Sequence, residues 1–471
     1  MTATTATPTG LPAHDRAALR REAARVLLTN WTGTSTVPSR TLYPHQWSWD
    51  SAFIAIGLRH LSPRRAQREL ETLLGAQWAD GRVPHIVFNP AVPLGAYFPS
   101  PDFWQSSTAG RAAGAPSGVE TSGIVQPPVH ALAAALVHER DPECSRRRGF
   151  LERVYPRLVA WHAYLLRERD FTGHGLASIV HPWESGMDNS PCWNGPLRKV
   201  VPVPAVSFRR ADLVHSDPAD RPTDLDYGRY VRLAADYRGH GYRDAGTPHA
   251  FAVEDPGFNA LLIASEHALA GIAAALGRDP RPHRARAEAL TDSLVRHLWQ
   301  PHAGMFLCRD VRADRVIEEK SVTGLLPLVA PSLPDHVASA LSRTARGEHF
   351  GLGSTTALVP SYDLRGDAFD PSRYWCGPAW FNINWVVERG LRLHGATAEA
   401  DALRRAVLDA AGASRFAEYV DPHTGRGRGA TDFGWTAAVA IDLLARHAHD
   451  RDQDRDRNQD HGRDQDRRER R

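Results

Sequence analysis

Residues 258–277 read FNALLIASEHALAGIAAALG, with apolar side chains recurring every three or four positions. That period is the signature of a helix. The same spacing returns in ARVLLTNW (24–31), SAFIAIGLRHL (51–61), RELETLLGAQW (68–78), PVHALAAALVHER (128–140) and YPRLVAWHAYLLRER (155–169). It continues in RARAEALTDSLVRHLW (284–299), PDHVASALSRTA (334–345), FNINWVVERGLRLHG (381–395), AEADALRRAVLDAAG (398–412) and WTAAVAIDLLARHA (435–448). These are eleven candidate helices, and weaker stretches leave room for one or two more. Strand signals are confined to SIVHPW (178–183) and KVVPVPAV (199–206). Alternating β-α-β organisation is therefore excluded and the class is all-α. The helical segments are alike in pattern only, with no repeat of fixed period.

Three long loops rich in Gly, Pro and aromatic residues separate the helices, at 82–126, 181–228 and 361–382. Loops of that length in a compact domain usually carry function. Of 13 tryptophans, Trp47, Trp49, Trp104, Trp183, Trp193, Trp375, Trp380 and Trp435 have polar neighbours, a composition suited to a cleft that stacks on sugar rings. Such loops gathered at one end of a helical barrel would make a deep pocket. Outside the helical span, residues 1–14 are rich in Thr, Ala, Pro and Gly, and residues 450–471 hold no apolar side chain. Neither segment can offset its ordering entropy, so both are expected to be disordered, leaving one domain over 15–449.

The net charge of +3 over 471 residues gives no footprint for nucleic acid. Cys144, Cys192, Cys308 and Cys376 are scattered, with no C-x-x-C pair and no zinc spacing. His85, His130 and His181 are read as structural rather than as metal ligands. No secretory leader and no run of 18 apolar residues is visible, so the expectation is a cytoplasmic protein away from membranes. No metal or cofactor is expected. There is no nucleophile elbow, phosphate loop or dinucleotide fingerprint.

The densest cluster of chemistry is HPWESGMDNSPCW, residues 181–193, where Glu184 and Asp188 flank Gly186 between two tryptophans. Glycoside cleavage needs a protonated carboxyl for the leaving oxygen and an ionised one to activate water. A carboxyl desolvated beside tryptophan keeps its proton at neutral pH. The same Asp would also suit a turn cap, and both readings stand at this point. A second cluster, FAEYVDPHTGRGRGATDFGWTAA (416–438), offers Glu418 between a helix and a glycine-rich turn. In LYPHQWSWDSAF (42–53), Asp50 either caps the following helix or binds a sugar with Trp47 and Trp49. YWCGPAWFNINW (374–385) and TSGIVQPPVHA (121–131), which contains Gln126, complete the set.

In this order, PHQWSWDSAF, YFPSPDFW, SGIVQPPVHA, HPWESGMDNSP, RPTDLDYGRY, DPGFNALL, YWCGPAWFN and EYVDPHTGRG with FGWTAA resemble bacterial members of glycoside hydrolase family 63, especially the glucosylglycerate and mannosylglycerate hydrolases. The likeness runs from residue 42 to about 445. It implies an (α/α)6 barrel with long active-site loops on one end, and hydrolysis of a small α-glycoside with inversion. It makes Asp188 the general acid and Glu418 the general base. It places Tyr43, Trp47, Trp49 and Asp50 around the innermost sugar, with Trp183, Gly186, Tyr374, Trp375 and Trp380 as sugar contacts. Arg221, Tyr227, Tyr97 and Gln126 match positions that grip a glycerate, for which a guanidinium supplies a two-pronged, charge-assisted contact. Cys376, Asp432 and Asn194 stand where the family usually has Arg, Gln and Asp, a change of charge that bears on the leaving group. The competing readings are a trehalase-like or oligosaccharide α-glucosidase and a catalytically silent sugar-binding protein. The expected partner is a small glycoside; a homo-oligomer is left open.

Overall fold

The computed structural model describes residues 13–214 and 217–446. Among these residues there are twelve helices of eleven residues or more. They are α1 (Ala13–Thr29), α2 (Ser48–Leu58), α3 (Pro63–Gly75), α4 (His130–Arg140), α5 (Phe150–Glu168) and α6 (Asp224–Gly239). After them come α7 (Pro256–Ala275), α8 (Arg281–Leu298), α9 (Asp335–Arg346), α10 (Phe381–Leu393), α11 (Thr397–Ala413) and α12 (434–446). Eleven coincide with the stretches picked out by apolar spacing. The twelfth, α6, is not among them: its first residues, 224–228, fall in the stretch read as loop, and the rest is assigned to no element. Its buried face mixes Tyr227, Tyr230 and Tyr237 with Val231, Leu233 and Ala234, all spaced among Asp and Arg, so the apolar signal is diluted by hydroxyl tips and charges.

The helices form two concentric rings. α2, α4, α7, α10 and α12 are the inner ones; α2 is buried along its whole length. The inner ring has a sixth member that is not a long helix. The 3-10 turns Val322–Gly324 and Leu326–Val329 sit between α7 and α10, where Pro327 prevents a continuous helix. The ring closes where α12 packs between α2 and α10. Arg59, at the C-terminal cap of α2, reaches Asp442 of α12 at 2.7 Å, and Trp385 of α10 donates to the same carboxylate at 2.8 Å. α1, α3, α5, α8, α9 and α11 lie outside, so the fold is the expected (α/α)6 barrel. α6 stands apart from both rings, on the short loop helices Pro101–Trp104 and Ser106–Ala109.

α7 is 20 residues long with a mean hydropathy of 1.4, enough by length and composition to cross a membrane. Its surroundings explain that apolarity. It lies in the inner ring, and its one buried acid, Glu266, is held by His162 at 3.0 Å, His283 at 2.8 Å and Arg286 at 3.1 Å. Asp255 caps its start by accepting from the Gly257 amide at 2.7 Å.

Strands are two-residue pieces that collar one end of the barrel. Gln46–Trp47 pairs antiparallel with Ile86–Val87 immediately before α2. Val253–Glu254, ahead of α7, is flanked by Ser178–Ile179 and Arg309–Asp310. Ala379–Trp380, ahead of α10, pairs with Tyr419–Val420, which pairs in turn with Gly427–Arg428. The strand expected over 199–206 does not form: Pro202 and Pro204 remove two of its amide donors. α1 begins at Ala13, two residues inside the segment expected to be disordered. The rest of that segment, residues 1–12, and the tail expected to be disordered over 450–471 lie outside the described residues.

Candidate active site

The collar places the N-terminal ends of α2, α10 and α12 around one pocket whose open space, mouth included, is about 470 Å³. Its wall contains Tyr43, Trp47, Trp49, Asp50, Tyr97, Gln126, Trp183, Gly186, Asp188, Tyr374, Trp375, Trp380 and Glu418. Thus thirteen of the fifteen residues assigned to catalysis or substrate binding converge here, all but Arg221 and Tyr227. Of the eight polar-flanked tryptophans, six line the pocket. The other two, Trp104 and Trp193, are buried elsewhere, with Trp193 donating to the Met187 carbonyl at 2.7 Å.

The loop carrying Asp188 is clamped on both sides. His181 accepts from the Trp183 amide at 3.0 Å and Ser185 from the Met187 amide at 2.9 Å. Beyond Asp188, the Trp375 amide donates to Asn189 Oδ1 at 3.0 Å and the Cys376 thiol to the Asn189 carbonyl at 3.3 Å. Gly186 has φ +71° and lies against Trp49, whose ring would be within 2.5 Å of a Cβ. No other residue fits there.

The structure separates the two acids of this loop. Glu184 is fully buried and faces Arg169 through two contacts, at 2.8 and 2.9 Å, while accepting from the amides of Val180 and Val125. It is a structural ion pair. Asp188 lines the pocket, where burial outweighs the nearby Arg221 and pushes its carboxyl up to about 7. It therefore keeps its proton up to about neutral pH.

Glu418 precedes strand Tyr419–Val420 and is buried except at the pocket. Tyr43 donates to its Oε1 at 2.9 Å, the Ala430 amide to its Oε2 at 3.1 Å, and Arg221 Nη2 lies 3.7 Å from Oε2. Burial raises its pKa, while Arg221 and these donors oppose the rise. The residue facing it is Gly429, at φ +69°, where a Cβ would overlap the Glu418 carboxylate.

Asp50 lies in the first turn of α2, not at its cap, which is Trp47. No side chain pairs with its carboxyl among the described residues. Burial, then Glu418 and Asp188, push its pKa well up. Gln126 accepts from the Trp49 amide at 3.1 Å. Trp375 and Trp380 stack at 3.8 Å, and Trp49 packs edge-on to Trp435 at 5.6 Å. Tyr374 adopts φ +37°, a costly conformation for a bulky residue, at the point where its ring carries the Arg221 guanidinium at 4.5 Å.

Arg221 and Tyr227 are the two that do not reach the wall. Arg221 lies behind Tyr43, to which it donates at 3.0 Å. Tyr227 gives its hydroxyl to the Phe98 carbonyl at 2.9 Å and supports the loop bearing Tyr97. Conversely, Pro38, His85, Phe433 and Trp435 line the pocket without having been assigned to it. Trp435 carried a signal in its polar flanks; His85, read as structural, carried none. His130 and His181 are structural, bonding Ser48 and the Tyr230 carbonyl at 2.9 Å each. Among the described residues no three His, Cys, Asp or Glu side chains group to hold a metal ion.

A model of the mannosylglycerate hydrolase MGH1-like glycoside hydrolase domain matches residues 43–436. The chain belongs to this family. It is 41% identical over 429 residues to mannosylglycerate hydrolase of Rubrobacter radiotolerans, covering 90% of this chain and 96% of the relative. It is 38% identical over 444 residues to glucosylglycerate hydrolase of Mycolicibacterium hassiacum, covering 90% and 97%. The crystal structure of the family 63 mannosylglycerate hydrolase from Thermus thermophilus with Tris and D-glycerate superposes with a TM-score of 0.82 at 39% identity, covering 90% of this chain and 99% of that one.

In this glycoside hydrolase, the structure places the side chains at the three positions expected to depart from the family pattern off the pocket. Cys376 is buried behind the wall and tied to Asn189; Asn194 is exposed. Asp432 turns outward to Arg25 at 2.8 Å. The expectation that Cys376 and Asp432 would alter the charge facing the leaving group is therefore corrected: neither lines the site.

Proposed function

We propose that this enzyme hydrolyses a small α-glycoside of glyceric acid, glucosylglycerate or mannosylglycerate, with inversion at the anomeric carbon. The observation that carries the reading is the pairing of two carboxyls in one aromatic pocket. Asp188 is held protonated, while Glu418 is surrounded by groups that favour its anion. Asp188 gives its proton to the glycosidic oxygen as the bond to the anomeric carbon breaks. Glu418 takes a proton from a water whose oxygen bonds that carbon from the opposite face. One water is added and no covalent intermediate forms. The two carboxyl groups are expected about 6.5–9.5 Å apart, the room an attacking water requires.

Asp50, in the wall with no side-chain partner, holds sugar hydroxyls; the indoles of Trp47, Trp49, Trp375 and Trp380 enclose the ring. Tyr97 and Gln126 contact the glycerate end, and Arg221, behind Tyr43, is the nearby cation. The D-glycerate bound to the Thermus relative supports this leaving group. A cytoplasmic setting belongs to the same proposal, in keeping with four unbridged cysteines, and cell fractionation checks it.

The test is a substrate panel of glucosylglycerate, mannosylglycerate, trehalose and kojibiose, assayed by released sugar. The expected result is one glycerate conjugate preferred over both disaccharides in kcat/KM. A higher kcat/KM on trehalose or kojibiose contradicts the glycerate assignment, and binding without release contradicts catalysis.

A further inference from the structure

We propose that His85 is a specificity-determining residue of this pocket, a neutral imidazole whose Nε2–H donates to one hydroxyl of the bound sugar. The inference rests on the reading of the pocket as a sugar site and adds a hydroxyl-reading contact to it.

His85 is fixed from its backbone outward. Its amide donates to the Ile124 carbonyl at 2.8 Å and its carbonyl accepts from the Ser48 amide at 2.9 Å. The ring lies near-parallel to Trp183, with centroids 6.4 Å apart and an interplanar angle of 20°, and edge-on to Trp47 at 6.4 Å. It therefore has little freedom to turn. The residue is 5% exposed, and that exposure is to the pocket it lines.

Its hydrogen bonding is what sets it apart. Nδ1 is fully buried and has no partner. Nε2 bonds no group among the described residues either, and it is the ring nitrogen left to meet the pocket. His130 and His181, by contrast, both commit Nε2 to the protein. Burial, with His181 nearby, holds the His85 imidazole neutral by lowering its pKa to about 3. A neutral imidazole carries one N–H, and a sealed N–H with no acceptor is the costlier choice. The proton therefore belongs on Nε2, facing the cavity. A pyranose presents hydroxyls that accept such a bond, and a site built to bond a hydroxyl rejects the analogue that lacks it.

The experiment measures binding of glucose, mannose and their monodeoxy derivatives to the full chain by tryptophan fluorescence and calorimetry. The proteins are wild type, His85→Leu and His85→Gln, each checked by thermal melting. The expected result is that His85→Leu weakens the preferred hexose by about 3- to 10-fold, the value of one neutral hydrogen bond. One deoxy sugar is then bound equally by both proteins, and His85→Gln, which keeps a donor near Nε2, recovers part of the loss. Should His85→Leu melt early, the wild type and His85→Gln are compared across the same deoxy series: the sugar that is weak with wild type is the one that loses sensitivity to the substitution. The inference is overturned if His85→Leu binds every sugar as the wild type does, or if its loss is the same for all deoxy sugars. A wild type that binds neither hexose contradicts the sugar-site reading itself, a result distinct from both.

Discussion

Replacing Tyr43 with Phe isolates the electrostatics of the general base. Tyr43 donates to Glu418 Oε1 at 2.9 Å and itself accepts from Arg221 at 3.0 Å. The Phe ring retains the edge contacts to Trp47 at 5.3 Å and Phe433 at 5.8 Å, so the wall keeps its shape. What disappears is a hydrogen bond to an ionised carboxylate, worth about 1.5–3 kcal/mol. That bond favours the anion only, so its loss raises the Glu418 pKa further, by about 1–2 units at 1.36 kcal/mol per unit. The Ala430 amide and Arg221 remain to limit the rise. The base works as the anion, so activity is lost as pH falls through its pKa. The acidic limb of kcat/KM against pH should move up by about 1–2 units. The alkaline limb should stay near its place: it reports Asp188 losing its proton, at about 7, and Tyr43 is not among the groups that set that value. Profiles of kcat/KM for wild type and Tyr43→Phe, with melting curves to confirm folding, make the comparison. An acidic limb that coincides with the wild type's would refute the assignment of Glu418 as base.

Asp188→Asn removes the acid without burying a new charge; turnover should fall about 10²–10⁴-fold with no loss in Tm, and an unchanged rate on the glycerate conjugate would exclude Asp188. Gly429→Ala places a methyl on the Glu418 carboxylate at a φ of +69°; kcat should drop at least tenfold while the tryptophan environment stays native, as read by steady-state kinetics and near-ultraviolet circular dichroism. Glu184→Gln leaves Arg169 with only Asp244, at 2.9 Å, as its ion pair. The loss should be about 1.5–3 kcal/mol of stability, the value of a charge-assisted hydrogen bond, seen in denaturant unfolding, and a variant as stable as wild type would show that the pair is not structural.

The barrel was largely legible because inner helices such as α7 and α10 must be apolar at helical spacing to fill the ring. α6 was hidden because its contacts are made by tyrosines whose rings pack while their hydroxyls bond. The sixth inner element was hidden because Pro327 and Gly324 break it into turns. At the site, the aromatic loops pointed to a sugar pocket and the family resemblance to Asp188 and Glu418, while the residues alone left Asp188 between acid and turn cap. It could not distinguish Asp188 from Glu184, because the partner that neutralises Glu184, Arg169, lies at the end of α5. Gly429 escaped notice, and His85 was read as structural, for a related reason. Their meaning lies in what stands opposite them, Glu418 in one case and an open pocket in the other, and each of those juxtapositions is made only by the folded chain. Asp432 shows the converse: beside a catalytic motif it suggested a charge in the cleft, and its backbone at φ +51° turns it outward.

The most direct test of a two-carboxylate, single-displacement site is the configuration of the sugar at the moment of release. Proton NMR of the anomeric signal during early hydrolysis of an α-linked glycerate conjugate should show the β-anomer first, with the α-anomer growing in only by mutarotation. An α-anomer formed first would mean retention, and would contradict Asp188 as general acid and Glu418 as the base that activates water.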